Sequence, residues 1–166
     1  MTEPSVTALL AVYPNISYAR NAVTYLTRLE RSDLAHIEGL AVAAKDPHGK
    51  VTAEESSLPT GKRGAKRGVL LGAAVGLIFP PSILAASIAG AGLGGVIGHV
   101  RGRSKAHALQ ALGEQIEPGH AGVIVIAHDE VVDQIEQRLV GCESIHRQQI
   151  DSETLAAINQ EDTESR

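Results

Sequence analysis

The stretch that decides how this chain folds is residues 68–100, GVLLGAAVGLIFPPSILAASIAGAGLGGVIGHV. It contains no Asp, Glu, Lys or Arg, and its 33 residues are too many for one strand or one ordinary core helix. Pro80 and Pro81 remove two amide donors, and their rings break any helix that reaches them. The stretch therefore predicts two helical arms, residues 62–79 and 82–103, joined by a tight hairpin turn at the prolines.

Small residues recur at every fourth position of both predicted arms. Residues four apart lie on one face of a helix, so each arm carries a stripe where another backbone can approach closely. A glycine in a helix interior costs about 1 kcal/mol relative to Ala, and close helix packing or an apolar medium must offset a series of such costs. We therefore predict a glycine zipper, a helical hairpin that packs through these stripes. Its residues are Gly64, Gly68, Gly72 and Gly76 in the first arm and Ala86, Gly90, Gly94, Gly98 and Gly102 in the second.

The hairpin is also the basic part of an otherwise acidic chain. Residues 62–105 hold seven of the fifteen basic residues and none of the nineteen acidic ones, so the rest of the chain has a net charge of −11. Such an asymmetry indicates an anionic partner for one segment. Because the bases flank the uncharged stretch, we expect them at the open ends of the hairpin, in contact with anionic lipid on the cytoplasmic side of a membrane. They are Lys62, Arg63, Lys66, Arg67, Arg101, Arg103 and Lys105.

The lengths of the arms limit how the hairpin can enter a bilayer. Residues 82–100 cover about 28 Å as a helix, against a hydrocarbon core about 30 Å thick. The uncharged part of the first arm, residues 68–79, covers only about 18 Å. We therefore expect the hairpin to insert deeply into the bilayer rather than to cross it fully with both arms. The alternative is a soluble hairpin that packs its glycine face against copies of itself.

The segment before the hairpin predicts half of an α/β sandwich. Residues 6–12 form an unbroken apolar run, which is typical of a strand buried on both faces. Pro14, Asn15 and Ser17 predict a turn and a helix cap, followed by an amphipathic helix of about 14 residues. Residues 37–44 predict a second strand, and the turn residues 46–49 lead into an exposed outer strand, residues 51–56.

The segment after the hairpin predicts the other half. Residues 122–127, GVIVIA, read as a buried strand. Asp129 follows as the candidate cap of a helix, and residues 143–150 predict a weaker strand. Residues 151–159 predict a short terminal helix.

Two strand–helix–strand units of this kind predict a ferredoxin-like α+β sandwich. Residues 1–60 form its first half and residues 105–151 its second half. The basic glycine-zipper hairpin, residues 61–104, is inserted between them, and residues 152–166 form a C-terminal tail.

Three short motifs give the chain a family resemblance. They are DPHGK at 46–50, TGK at 60–62, and LGEQIEPG at 112–119, which precedes a buried strand. With the opening strand and helix, they make residues 6–150 similar to the domain of unknown function 1269 family of bacterial and archaeal predicted membrane proteins. The resemblance implies the same broad architecture and an association with membranes. It implies no established activity and no catalytic residue.

Composition and motif spacing argue against several other functions. The chain has three Tyr, one Phe and no Trp, so a nucleic-acid interface built on stacking rings is not expected. Its single cysteine, Cys142, excludes a disulfide framework and a cysteine-based zinc site. No two of the seven histidines lie four apart on one helix, and no metal site is predicted.

A nucleotide site has one weak motif in its favour. Residues 90–95, GAGLGG, match the Gly-x-Gly-x-x-Gly pattern, but a dinucleotide site needs that pattern at a strand-to-helix turn. Glycine-dense sequence also produces such matches by chance. Nucleotide or small-ligand binding is therefore the third functional class.

The first class that we predict is a non-enzymatic protein that forms a homo-oligomer through its zipper and binds or enters a membrane. The second is a soluble homo-oligomeric ring or shell with the hairpins buried between subunits. No catalytic residue, cofactor, metal or nucleic acid partner is expected in either class. The start of the chain lacks the basic segment of a secretory signal, which predicts a cytoplasmic protein.

Overall fold

A computed structural model describes residues 5–28, 36–55, 74–76, 78–79, 83 and 106–151. Its strands are β1 (Val6–Tyr13), β2 (Ile37–Lys45), β3 (Val51–Glu55), β4 (Ala121–His128) and β5 (Ser144–Ile150). Its helices are α1 (Ile16–Leu26), α2 (Ala106–Glu114) and α3 (Asp129–Arg138). The described residues thus form an α+β fold, as predicted.

The five strands form one sheet in the order β3-β2-β4-β1-β5, and every neighbouring pair is antiparallel. The central strands β1 and β4 pair from Val6 with His128 to Tyr13 with Ala121. All eight residues of β1 are buried, because apolar side chains leave it on both faces and both faces are covered. The predicted burial of this strand on two sides is confirmed.

Helices α1 and α3 cover one side of the sheet, which we call the first face. Asn15 caps α1, since its Oδ1 accepts hydrogen bonds from the backbone nitrogens of Ser17 at 3.0 Å and Tyr18 at 3.2 Å. The helix turns its apolar stripe inward, and α3 does the same. The buried side chains are Ala19, Ala22, Val23 and Leu26 from α1, and Val131, Val132 and Ile135 from α3.

The predicted cap of α3 is wrong. His128 occupies the cap position and makes no side-chain cap bond, while Asp129 is the first helical residue. The Oδ1 atom of Asp129 instead accepts a hydrogen bond from Thr7 Oγ1 at 2.6 Å, and its Oδ2 accepts one from Gln149 Nε2 at 3.2 Å. Asp129 and Glu130 still place negative charge at the helix N-terminus, where the helix dipole favours it.

The turn between β2 and β3 has the predicted position. Asp46 Oδ1 accepts hydrogen bonds from the backbone nitrogens of His48 at 2.8 Å and Lys50 at 2.9 Å. Gly49 has a φ of +85°, a conformation that glycine adopts without strain. The strand that follows lies at the edge of the sheet, as expected of an outer strand.

The opposite side of the sheet, which we call the second face, is equally apolar. Leu10, Ile124 and Ile126 point to this side and are fully buried. Leu109 and Leu112 of α2 pack on them, and Ile116 follows just beyond the helix. The sheet therefore has a hydrophobic core on each face. The predicted terminal helix, residues 151–159, lies outside the described residues except at its first position.

Candidate functional site

Part of the predicted hairpin lies on the second face of the sheet. We call residues 74–76, 78–79 and 83 the tip segment, because they flank the predicted hairpin turn. Ala74 and Val75 are 1% and 2% exposed, and Ile78 and Phe79 are 0% exposed. The Phe79 nitrogen donates to the Val75 oxygen at 2.9 Å, as in a helix. Residues 74–76 and 78 are therefore helical and, with Phe79, buried in the core, while Ile83 is partly buried against it.

Two contacts join the tip segment to the body. The backbone nitrogen of Val51, the first residue of β3, donates to the Ile83 oxygen at 2.7 Å. Phe79 and Ile78 lie against Gly113 of α2, where an added Cβ would stand 2.5 Å from the Ile78 oxygen and 3.1 Å from the Phe79 ring. Gly113 thus allows the tip segment to approach α2 closely, because any side chain there would push the tip segment away from the helix.

A lysine also holds the end of α2 in place. Lys45, at the end of β2, donates from Nζ to the Gly113 oxygen at 3.3 Å. Its backbone oxygen accepts a hydrogen bond from Gly119 at 2.8 Å, in the loop that leads into β4. The glycine against which the tip segment packs is therefore tied to the sheet by a side-chain hydrogen bond.

Most of the predicted zipper lies outside the described residues. Gly76 is described, and it is helical and buried. The zipper residues not described are Gly64, Gly68, Gly72, Ala86, Gly90, Gly94, Gly98 and Gly102. The turn residues Pro80 and Pro81, and all seven flanking bases from Lys62 to Lys105, are likewise outside. No described helix is both long enough and apolar enough to cross a membrane.

A second candidate site lies where β2 begins and β4 ends. We call His36, Glu38, His128 and Glu130 the His–Glu cluster. His36 Nδ1 is 2.6 Å from Glu130 Oε1, and His128 Nε2 is 2.8 Å from Glu38 Oε1. The two imidazole rings meet edge to face with their centroids 5.6 Å apart. The side chains are partly exposed, from 21% for His128 to 63% for Glu130.

Strand register explains why these residues meet. Ile37 pairs with Ala127, and the next residues outward, His36 and His128, are joined by a backbone hydrogen bond of 3.0 Å. The register then shifts between Ile37 and Gly39, because Gly39 pairs with Ile126. Such a bulge turns a side chain away from the regular alternation. Sequence reasoning missed this cluster because the two histidines are 92 positions apart and only the pairing of β2 with β4 joins them.

A surface cavity of about 490 Å³ lies between α1 and the C-terminal end of α3. All three tyrosines of the chain line it, together with Arg138. Tyr13 is buried, and this burial, with a smaller contribution from the charge of Cys142, raises its pKa from about 10 to about 12. Tyr18 and Tyr25 are 56% and 67% exposed.

The only cysteine of the chain lies beside this cavity. The Sγ atom of Cys142 donates to the Leu139 oxygen at 3.2 Å, and burial raises the pKa of the thiol. A nucleophilic cysteine needs the opposite shift, toward the thiolate. Cys142 therefore packs as a half-buried neutral thiol.

The comparison with known families agrees with the resemblance seen in the sequence. A family described as a protein of unknown function, DUF1269, matches residues 65–161, which is more than half of the chain. The chain belongs to this family. No curated protein and no solved structure matches it. The matched region begins within the segment predicted to form the hairpin and includes α2, β4, α3 and β5.

Proposed function

We propose that this protein is a non-enzymatic, self-associating protein of the membrane surface. In this proposal the tip segment anchors the hairpin to the body, and the glycine-striped arms contact a second copy of the chain. The bases at the open ends of the hairpin contact anionic lipid. The observation that carries the proposal is the complete burial of Ile78 and Phe79 on the second face of the sheet.

Burial of the tip segment favours a hairpin that lies at a membrane surface over one that enters the bilayer tip first. Withdrawing the tip would expose Phe79 and Ile78, and burial of each such side chain is worth about 1.5–3 kcal/mol. It would also uncover the second face beneath them. Contact through the basic ends needs no such rearrangement, and each base near an anionic surface contributes about 1 kcal/mol.

We also infer that the sandwich is ferredoxin-like. Without the outer strand β3, the sheet order is β2-β4-β1-β5, so each strand–helix–strand unit has a strand of the other unit between its own two strands. This interleaving is the split arrangement of ferredoxin-like folds. The hairpin would then be an insertion between the two units, with its tip segment on the face that α1 and α3 leave open.

A non-enzymatic role is part of the proposal because the chain offers no activated nucleophile at Cys142. Burial raises the pKa of that thiol, and its hydrogen bond goes to a backbone oxygen rather than to a base. Activation would need a neighbouring base or a lowered pKa.

Self-association is tested with bulky side chains on the predicted stripes. Gly72→Leu and Gly94→Leu should reduce the particle mass measured by light scattering to that of a single chain, because leucine prevents close approach of two backbones. The matched control is Ala111→Leu, which adds a similar side chain at an exposed position of α2 and should leave the mass unchanged. An oligomer that persists in both glycine variants would contradict the zipper interface.

Membrane association is tested by sedimentation with lipid vesicles. The full chain should pellet with phosphatidylglycerol vesicles and remain in the supernatant with phosphatidylcholine vesicles. Replacing Lys62, Arg63, Lys66 and Arg67 by Gln should remove most of this binding, and raising the salt concentration should weaken it in the parent protein. Failure to pellet with either lipid, with the oligomer intact, would favour the soluble ring or shell instead.

A further inference from the structure

We propose that the His–Glu cluster binds a divalent transition-metal ion, with Zn²⁺ as the ion that its chemistry suits best. The ligands are His36, His128 and Glu130, and Glu38 is the carboxylate that positions His128. This site is separate from the hairpin and does not depend on its function.

The donor set is of the right kind. Imidazole nitrogens suit zinc and its neighbours among the transition metals, and a carboxylate oxygen commonly completes such a site. With both imidazoles in the neutral form that binds a metal, the two carboxylates give the cluster a charge of −2, which a divalent cation balances.

The three ligand atoms already lie close together. One ligand atom from each of His36, His128 and Glu130 lies within 4.8 Å of the others. Ligand atoms bound tetrahedrally to zinc at about 2.0–2.2 Å lie about 3.3–3.6 Å apart. Rotation of the partly exposed side chains would bring the three atoms to this spacing. Three protein ligands leave one position of a four-coordinate zinc open to water.

Glu38 provides the support that metal-bound histidines usually have. One imidazole nitrogen of His128 faces Glu38 at 2.8 Å, so the other is the donor available to an ion. Carboxylates in this position fix the orientation of the ring, and their loss weakens metal binding about 10–100-fold. The bulge at Ile37 and Gly39 is what turns Glu38 toward His128 rather than into the regular alternation of β2.

An ion in this position would join two parts of the fold. His36 immediately precedes β2, while His128 ends β4 and Glu130 lies in the first turn of α3. Binding to the folded state alone raises the melting temperature with the free metal concentration. The ion would thus lock the first-face helix α3 to the start of β2.

The test is titration of the purified, metal-free full chain with zinc chloride by calorimetry. We expect one ion per chain, and affinity at least about 100-fold weaker in His36→Gln and in His128→Gln, because losing a ligand costs more than losing a supporting residue. Glu38→Gln should weaken binding about 10–100-fold. The matched control is His146→Gln, which removes a histidine that lies on β5, outside the cluster, and should leave the affinity unchanged.

A second variant keeps the result interpretable if a histidine variant fails to fold. Glu130 is 63% exposed, so Glu130→Gln should fold normally, as judged by circular dichroism, and should still lose most of its zinc affinity. Zinc should also raise the melting temperature of the parent protein relative to EDTA, but not that of His36→Gln/His128→Gln. The proposal is overturned if the parent binds no zinc, or if folded Glu130→Gln or the double variant binds it as the parent does.

Discussion

Both faces of the sheet carry a buried hydrophobic core, but the segments that cover the two faces come from different parts of the chain. On the first face, α1 and α3 each follow directly on the strand that they help to cover, and each presents an apolar stripe. On the second face, α2 shares the cover with the tip segment, which lies between β3 and α2 in the chain. A core can thus be completed by a segment that lies outside the repeating strand–helix–strand units.

The segments that cover the two faces are also held in place in different ways. In α1, the cover is stabilised locally, by the cap at Asn15. In the tip segment, the position depends on a distant glycine, because Phe79 fits only where Gly113 lacks a side chain. The position of α1 is therefore sensitive to substitutions next to the helix. The position of the tip segment is sensitive to substitutions at Gly113, more than thirty residues away in the chain.

The largest expected effect comes from truncating one buried side chain on each face. Phe79→Ala should lower the free energy of unfolding by about 3–5 kcal/mol, and Leu26→Ala by about 2–5 kcal/mol, because each leaves a cavity in a core where the residue is 0% exposed. Urea unfolding of the full chain measures both.

The control for this pair is Val140→Ala, since Val140 is 78% exposed. That change should alter stability by no more than about 0.5 kcal/mol. A Phe79→Ala effect as small as that of Val140→Ala would show that the two faces are not equivalent and that the tip segment is not part of the core.

The first face could be predicted from the sequence because its signals are local. The unbroken apolar runs around Leu10 and Val125 indicate strands buried on both sides, and Pro14, Asn15 and Ser17 indicate a turn and a cap before α1. The cap of α3 was predicted wrongly, because the sequence does not show that the hydroxyl of Thr7, 122 positions away, contacts Asp129.

The segment that covers the second face and the His–Glu cluster could not be predicted, for different physical reasons. Aliphatic side chains interleaved with glycine suit a bilayer, a second subunit or a sheet face equally well, so the burial of Phe79 does not follow from its surroundings in the chain. His36 and His128 meet through the register of β2 with β4, and the shift at Glu38 is a property of that pairing.

A smaller effect is expected from the cap that defines the first-face helix. Asn15→Ala should destabilise the protein by about 1 kcal/mol, because two backbone nitrogens at the start of α1 lose their acceptor. The matched control is Asn21→Ala, which removes the same side chain from an exposed position within α1. If the two variants lose the same stability in urea unfolding, local capping does not support this face.

The last of these effects appears only at alkaline pH and concerns the first-face core. Burial holds the pKa of Tyr13 at about 12, against about 10 when the chain is unfolded. Between these values the unfolded state loses the tyrosine proton and the folded state keeps it, so stability falls as pH rises. Tyr13→Phe should remove this part of the decline.

Tyr25→Phe is the matched control for that measurement, because Tyr25 is 67% exposed. Its decline in stability from pH 10 to pH 12 should equal that of the parent protein. An identical decline in Tyr13→Phe would mean that Tyr13 is not buried as described.

The measurement that tests the position of the tip segment most directly is the sign of the stability change in Gly113→Ala. An added Cβ would stand 2.5 Å from a backbone oxygen of the tip segment, so unfolding in urea should show a loss of about 1–3 kcal/mol. If the tip segment lay elsewhere, these close contacts would not oppose the alanine, and its greater helix propensity in α2 would raise stability by up to about 1 kcal/mol. A gain in stability would therefore contradict the account.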